Sequence, residues 1–398
     1  MDTAIFKTRS EIIPRKMPKI NGNNQYKGRT IVALDGGYSS VKGASSERVF
    51  IYPSFAKPVP SGFEILGNVD DSHILFKDNN TQKLWLIGQA AENLMDQNDL
   101  DSITDASIYT RYRYDSPMYK ALMATGLGIG LIGTPEGNEV FLQTGLPSEY
   151  KRTDSPKLIA ALSGDYDISI KVGSKQWHRF KFSLDAAHIS VMEQPHGTLC
   201  SVTYKNGELT DFGVKVMAAN SIILDVGFGT EDIFPIQKGD KIISQTFSDT
   251  AMKAVFNGVI SRVKEENEDM ALDVKIYELQ NYLESGEIPY FDITTFKMSY
   301  IPFGDILDEV NHELCEKSIM RLMQGYQNMQ KYQYLIVTGG TGESRFEQIK
   351  QKLSVIPTLT VVPGNTNTPD LSCTYSNVIG YYMLRYASLM RDMKKATE

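Results

Sequence analysis

Three glycine-rich turns, each delivered by an apolar run, carry the residue types of phosphate chemistry. In the first, Ile31–Leu34 reads as a buried strand. It ends in Asp35 and is followed by Gly36, Gly37, Tyr38, Ser39 and Ser40, then by Val41 and Lys42 at the start of a second strand. Glycine permits a tight turn whose amides face outward. Such amides, with hydroxyls and one lysine, can cradle phosphate oxygens. Asp35 is too close to bind phosphate without a cation between them, which points to a magnesium ion held through water. The pattern recurs in the second half, where Ile222–Leu224 ends in Asp225, followed by Gly227, Phe228, Gly229 and Thr230 and a further apolar strand. Two copies imply two similar halves facing each other over a nucleotide. A third turn, Gly339, Gly340 and Thr341, follows the apolar run Leu335–Val337 and suits close approach to an adenosine.

In this order the three turns resemble the first phosphate loop, the second phosphate loop and the adenosine loop of the actin, sugar-kinase and heat-shock ATPase superfamily. The first is similar to actin in spacing, with Lys42 as the seventh residue after Asp35. Within the superfamily the chain most resembles the bacterial actin-like plasmid-segregation proteins, the ParM/StbA-like group. Leu146-Pro147-Ser148-Glu149-Tyr150 resembles that group's Leu-Pro…Glu-Tyr motif, and Val191–Gly197 resembles the segment that holds its catalytic glutamate. Tyr375–Tyr382 resembles its C-terminal Asn/Gly/Tyr helix. The resemblance covers residues 30–387.

That resemblance implies an α/β fold of two similar domains, each a mixed β-sheet flanked by helices, with a nucleotide cleft between them. It implies ATP, or GTP in its place, with Mg2+, and attack of water on the γ-phosphate. Such a reaction needs positioning and charge neutralisation more than covalent help. Asp35 and Asp225 would hold the magnesium through its waters, and Lys42 would contact the β- and γ-phosphates. Gly36, Gly37, Tyr38, Ser39, Ser40, Gly227, Phe228, Gly229 and Thr230 would supply amides or hydroxyls; Gly339, Gly340 and Thr341 would face the ribose and base. In the family a Glu or Gln just before the interdomain helix orients the water, and here Glu193 and Gln194 are adjacent. Glu193, the favoured residue, could act as base or orienter; Gln194 could only orient and polarise. The family role is a head-to-tail filament that assembles with nucleotide and shortens after hydrolysis, moving plasmid DNA through a DNA-binding adaptor.

The elements that must position these residues follow from periodicity and breakers. A helix is expected over Pro117–Ile132, with Gly126, Gly128 and Gly130 weakening its second half. Strands are expected at Glu139–Gly145 and His188–Met192, a hairpin over Asp165–Val172 and His178–Ser183, and a helix between the halves at Pro195–Tyr204. The second half should hold helices near Ser248–Glu268, Ala271–Glu284 and Asp305–Lys331, the last with the apolar stripe Leu307, Val310, Leu314, Leu322, Tyr326 and Met329. A C-terminal helix over Asn377–Met390 returns, by resemblance, to the first domain. The organisation read from this is residues 1–28 as a basic arm or tail, 29–194 as the first domain with residues 375–392 packing back on it, and 195–374 as the second domain.

Composition bounds the remaining choices. The chain has 398 residues, 41% hydrophobic and 22% charged, ordinary for a soluble globular protein of two domains. No apolar run reaches the ~20 residues of a membrane span, so no direct membrane contact is expected. Cys200, Cys315 and Cys373 are few and scattered, which fits a reducing cytoplasm. The five histidines form no metal spacing, and His196 reads as local loop structure. A net charge of −7 argues against nucleic-acid binding by the body. The charge is uneven: residues 1–30 hold seven basic side chains against Asp2 and Glu11, a net of +5, leaving −12 for the rest of the −7 chain. Two other readings stay open. A small-molecule kinase of the same superfamily would need an acceptor base, usually Asp, where Val191–Gly197 offers Glu-Gln. A non-catalytic nucleotide-binding scaffold or adaptor is opposed by the intact Asp35, Lys42 and Asp225, whereas a non-plasmid cytoskeletal scaffold would share these loops.

Overall fold

The computed structural model describes residues 2–22, 27–65, 67–95, 111, 113–267, 272–293 and 295–397. Two sheets share one plan. In the first, the hairpin Arg29–Gly36 and Ser40–Ala44 continues through Glu139–Leu146 and Ile189–Glu193, both parallel to its first strand. In the second, the hairpin Asn220–Val226 and Glu231–Gln237 continues through the parallel strands Tyr334–Thr338 and Thr360–Pro363. The hairpin strands are buried nearly end to end, as strands covered on both faces must be. The architecture is therefore the expected duplicated α/β arrangement, two domains on either side of a cleft.

Each domain carries a smaller lobe. In the first it is a five-stranded antiparallel sheet containing the hairpin Gly164–Val172 and His178–Leu184. The helix Pro117–Leu131 lies between this sheet and the main one. It runs unbroken through its glycines because they are points of contact. A Cβ on Gly128 would sit 2.3 Å from Ile170, and one on Gly130 would sit 2.7 Å from Val32. The glycines that weaken the helix as an isolated segment let it touch a sheet on either side. In the second domain the lobe is built from the helices Met252–Glu266 and Ile276–Tyr282 and the hairpin Glu287–Asp292 with Lys297–Pro302, packed around Val255, Phe256, Leu279 and Phe303.

Two helices join the halves. Gln194–Thr203 starts where the last strand of the first sheet ends. Ser376–Thr397 packs on the outer face of the first sheet through Val378, Tyr381 and Tyr382. The two cross so closely that a Cβ on Gly380 would lie 1.7 Å from the carbonyl oxygen of Gly197. Only glycine fits there.

Several expectations need correction. The segment read as a basic arm or tail is built into the fold where it is described. Glu11–Pro14 adds an antiparallel edge strand on Arg48–Pro53, and Met17 and Ile20 are buried. Tyr382 donates its hydroxyl to Pro18 O at 2.6 Å. Four of its six basic residues are in close ion pairs: Arg9 with Glu284, Arg15 with Asp370, and Lys16 and Lys19 with Glu47. Three carboxylates thus offset part of the positive charge, and the strand pairing and buried side chains hold the segment on the body rather than as a free arm. Asn23 and Asn24 of its turn lie outside the described residues. The helix expected over Ala271–Glu284 is Ile276–Tyr282, and Ala271 also lies outside the described residues. The long helix expected to reach Lys331 ends at Gly325, before a short turn in which Gln327, Asn328 and Met329 take positive φ. The helix Lys151–Leu162 was not anticipated, because Pro156 stands inside it and its buried contacts are only Asp154, Leu158 and Leu162.

Candidate nucleotide-binding site

The strand ends of both sheets meet at one cavity of about 550 Å³. It is lined by Asp35 through Ser40, Lys42, Asp225, Gly227 through Thr230, and Gly339 through Thr341, so the three turns far apart in sequence converge. Its size falls within the range of small-molecule sites.

The two hairpin turns are gripped by their carbonyl oxygens. Behind the first, Arg113 donates to Gly37 O at 2.8 Å and to Gly36 O, and Ser54 Oγ donates to Gly37 O at 3.0 Å. The Arg113 guanidinium also lies 4.3 Å from the centre of the Tyr38 ring. At the second turn, Thr341 Oγ1 donates to Gly227 O at 2.9 Å and Lys253 N to Phe228 O at 2.8 Å. A turn held by its oxygens leaves amides for an anion, although Gly227 N is spent inside the second turn on Thr230 O at 2.9 Å. The third turn is the start of the helix Gly340–Ser344. Gly339 holds φ +83°, and a Cβ there would lie 2.3 Å from Val226 O, which fixes glycine at the approach to the second hairpin.

The acids are buried and unequally compensated. Asp35 and Lys42 are opposite each other across the first hairpin, with Nζ 3.6 Å from Oδ2. Gln194 Nε2 donates to Asp35 Oδ1 at 2.7 Å. Asp225 accepts from Asn377 Nδ2 at 2.7 Å. Burial pushes its carboxyl up to about 6, against the Asn377 hydrogen bond, with further upward pressure from Asp35 and some relief from Lys42. Two buried carboxylates therefore face one ammonium. That donor set fits a divalent cation with its phosphate ligand. Among the described residues no group of three or more His, Cys, Asp or Glu could hold a metal alone, so such an ion would complete its shell with water and phosphate oxygens.

The adjacent pair Glu193 and Gln194 is divided. Gln194 lines the cavity, whereas Glu193 does not: its carboxylate is 2.5 Å from Lys241 Nζ. The strand ends at Glu193 and the helix begins at Gln194, so neighbouring side chains leave in different directions. Of the two residues the sequence offers to orient water, with Glu193 favoured, Gln194 is the one that lies at the cavity. His196, one turn further, stacks on Phe234 at 5.9 Å, and burial lowers its pKa.

Three contributors were not singled out from sequence. Arg113 lies in a one-turn 3-10 helix with no motif around it. Asn377 sits in the resembling C-terminal segment, and its side chain spans the gap between the cleft helix and Asp225, also accepting from Thr198 Oγ1 at 2.8 Å. Asp232 is opposite Asp225 in the second hairpin and accepts Ser148 N at 2.9 Å and Thr246 Oγ1 at 2.5 Å. Position seven after the aspartate, already noted for Lys42, would have found it.

With this geometry in place, the class is clear: the fold is that of the actin-like proteins. Residues 33–197 match the family model described as the actin like proteins N terminal domain. Among solved structures, the chain is similar to the subunit of a 15-stranded ParM filament from Clostridium botulinum, with 20% identity, TM-score 0.67, and 91% of this chain and 99% of that chain covered. It is also similar to the apo psk41 ParM protein, with 21% identity, TM-score 0.59, and coverage of 92% and 98%. An archaeal actin homologue, Ta0583, in complex with ADP matches with 14% identity, TM-score 0.58, and coverage of 88% and 97%. No curated protein sequence matches the chain. No helix among the described residues is long and apolar enough to cross a membrane.

Proposed function

We propose that the chain is a nucleotide-dependent filament protein that binds ATP, or GTP, with Mg2+ in this cavity and hydrolyses it. The observation that carries the reading is the convergence of Asp35, Lys42 and Asp225 on one cavity walled by the three glycine turns. Lys42 and the amides of Gly36 to Ser40 and Phe228 to Thr230 hold the polyphosphate, with the Gly227 amide spent on Thr230 O at 2.9 Å; Gly339, Gly340 and Thr341 face the nucleoside. Asp35 and Asp225 would hold a magnesium ion through its waters, and its chemistry there would be to neutralise phosphate charge. Gln194 orients the attacking water. Its Nε2 is engaged by Asp35, which fixes the amide and leaves its oxygen as an acceptor. An amide cannot take the proton, so Gln194 positions and polarises the water.

The two domains, taken as residues 29–194 with the helix 375–392 and residues 195–374, change their relation with nucleotide state, and that shift of population drives assembly and shortening. The likeness to ParM structures, one of them a filament, supports head-to-tail self-association; on this reading the filament works in the cytoplasm and moves plasmid DNA through a DNA-binding adaptor.

The test combines light scattering, pelleting and phosphate release from purified chain with magnesium and ATP or GTP. Scattering should rise and then decay as phosphate appears. Turnover without polymer over a wide concentration range would favour the kinase reading, and stable binding without turnover the scaffold.

A further inference from the structure

The residues from Thr3 to Glu11 run from one domain to the other along the cavity, anchored on both. On the first-domain side, Glu11 belongs to the edge strand and accepts the Tyr375 hydroxyl at 3.2 Å. Ser10 is joined to Gln89 in both directions, its amide donating to Oε1 at 3.4 Å and its Oγ accepting the Gln89 amide at 3.3 Å. The chain then passes to the second domain. Arg9 Nη2 donates to both oxygens of Glu284 at 2.9 and 3.1 Å. Phe6 packs into the apolar cluster of the smaller lobe, and Thr3 Oγ1 donates to Leu283 O at 2.6 Å. Every residue from Ile5 to Glu11 lines the same cavity as the three turns.

We propose that this segment is a strap that retains the bound nucleoside di- or triphosphate, forming a wall of the site that the three turns do not supply. The inference rests on the nucleotide reading above. A ligand leaving between the domains must pass a segment fastened to both, so release requires the strap to detach from one of them. The second-domain anchorage is the weaker, because Arg9–Glu284 is an exposed pair of small net value. Phe6 supplies the apolar contact there and Thr3 a buried hydrogen bond. The strap also brings Lys7 and Arg9 to the wall of a cavity suited to polyanions. The Lys7 side chain is only 9% exposed, and its ammonium is 4.0 Å from Glu284, beyond hydrogen-bond distance.

The experiment follows release of N-methylanthraniloyl-ADP from the full chain with magnesium, chased by unlabelled ADP in a stopped-flow instrument. Phe6→Ser should speed release by at least about fivefold. Arg9→Glu should speed it by a smaller factor, and the exchange of charges in Arg9→Glu with Glu284→Arg should return the rate toward the parent value. Parent-like rates in both Phe6→Ser and Arg9→Glu overturn the strap. If Phe6→Ser does not fold, the exposed Arg9 and Glu284 variants decide alone, and no acceleration or no return in the double exchange overturns it. A parent chain that does not hold the probe, or holds it unchanged in Asp225→Ala, overturns the nucleotide reading and the strap with it. Probe binding lost in Asp225→Ala, with unchanged strap variants, overturns the strap only.

Discussion

The two hairpins that face the cavity are near-copies that differ at one decisive position. In each, an aspartate ends the first strand, and the seventh residue after it stands directly opposite on the second strand. In the first hairpin that residue is Lys42, and in the second it is Asp232. Directly opposed side chains share a face of the sheet and interact, so the first hairpin pairs opposite charges and the second like charges. The consequence appears in the partners. Asp35 is balanced within its own hairpin and by Gln194. Burial pushes Asp232 up to about 7, with Asp225 adding to the rise. Asp232 is held from the other domain by the amide of Ser148, in the Leu-Pro-Ser-Glu-Tyr turn, and Glu149 N donates to Thr246 Oγ1 at 3.2 Å beside it. One copy thus presents a cation to the cavity, while the other spends the equivalent position on fastening the two domains together.

The largest effect that bears on this comparison is expected from Asp225→Ala. It should lower phosphate release by at least about a hundredfold, since one of the two carboxylates that would hold the magnesium is lost. Unchanged turnover would break the site assignment. Gln194→Ala should lower phosphate release by about ten- to a hundredfold while Glu193→Ala stays within about twofold; the reverse order would restore Glu193 to the role.

Asp232→Asn tests the second hairpin through pH. The folded carboxyl titrates higher than the unfolded one, so the folded state holds the proton more tightly and the associated stability is present at low pH. It is lost as pH rises from about 4 through about 7. The nucleotide-free parent should therefore lose stability across that window. Asp232→Asn keeps an oxygen for Ser148 and Thr246, and should flatten the fall and raise the thermal midpoint at neutral pH by about 3 °C. A steeper fall in the variant would contradict a buried, costly charge. The smallest effect is expected from Arg113→Lys, because an ammonium cannot fork onto Gly36 O and Gly37 O and also stack on Tyr38. Nucleotide affinity by fluorescence titration should weaken by about threefold to tenfold.

The sequence by itself determined the elements whose cause is local. An apolar run ending in Asp-Gly-Gly or Asp-Val-Gly-Phe-Gly specifies a strand and a turn within about ten residues. Both hairpins and the strand before Gly339 were legible for that reason. The duplication was legible too, because two copies of one pattern imply two copies of one structure. Tertiary structure decided what depends on partners distant in the chain. Glu193 and Gln194 are adjacent, and only the place where strand gives way to helix sends one to Lys241 and the other to Asp35. Arg113 has no local signature, because its partners are carbonyl oxygens that every residue possesses. The segment 3–11 has no periodicity and an excess of positive charge, which reads as a tail until the acids it meets, Glu284 among them, are brought to it by the fold. Patterns of a few residues fix turns and strands; the choice of partner for a charge is made by packing, which no window of the sequence contains.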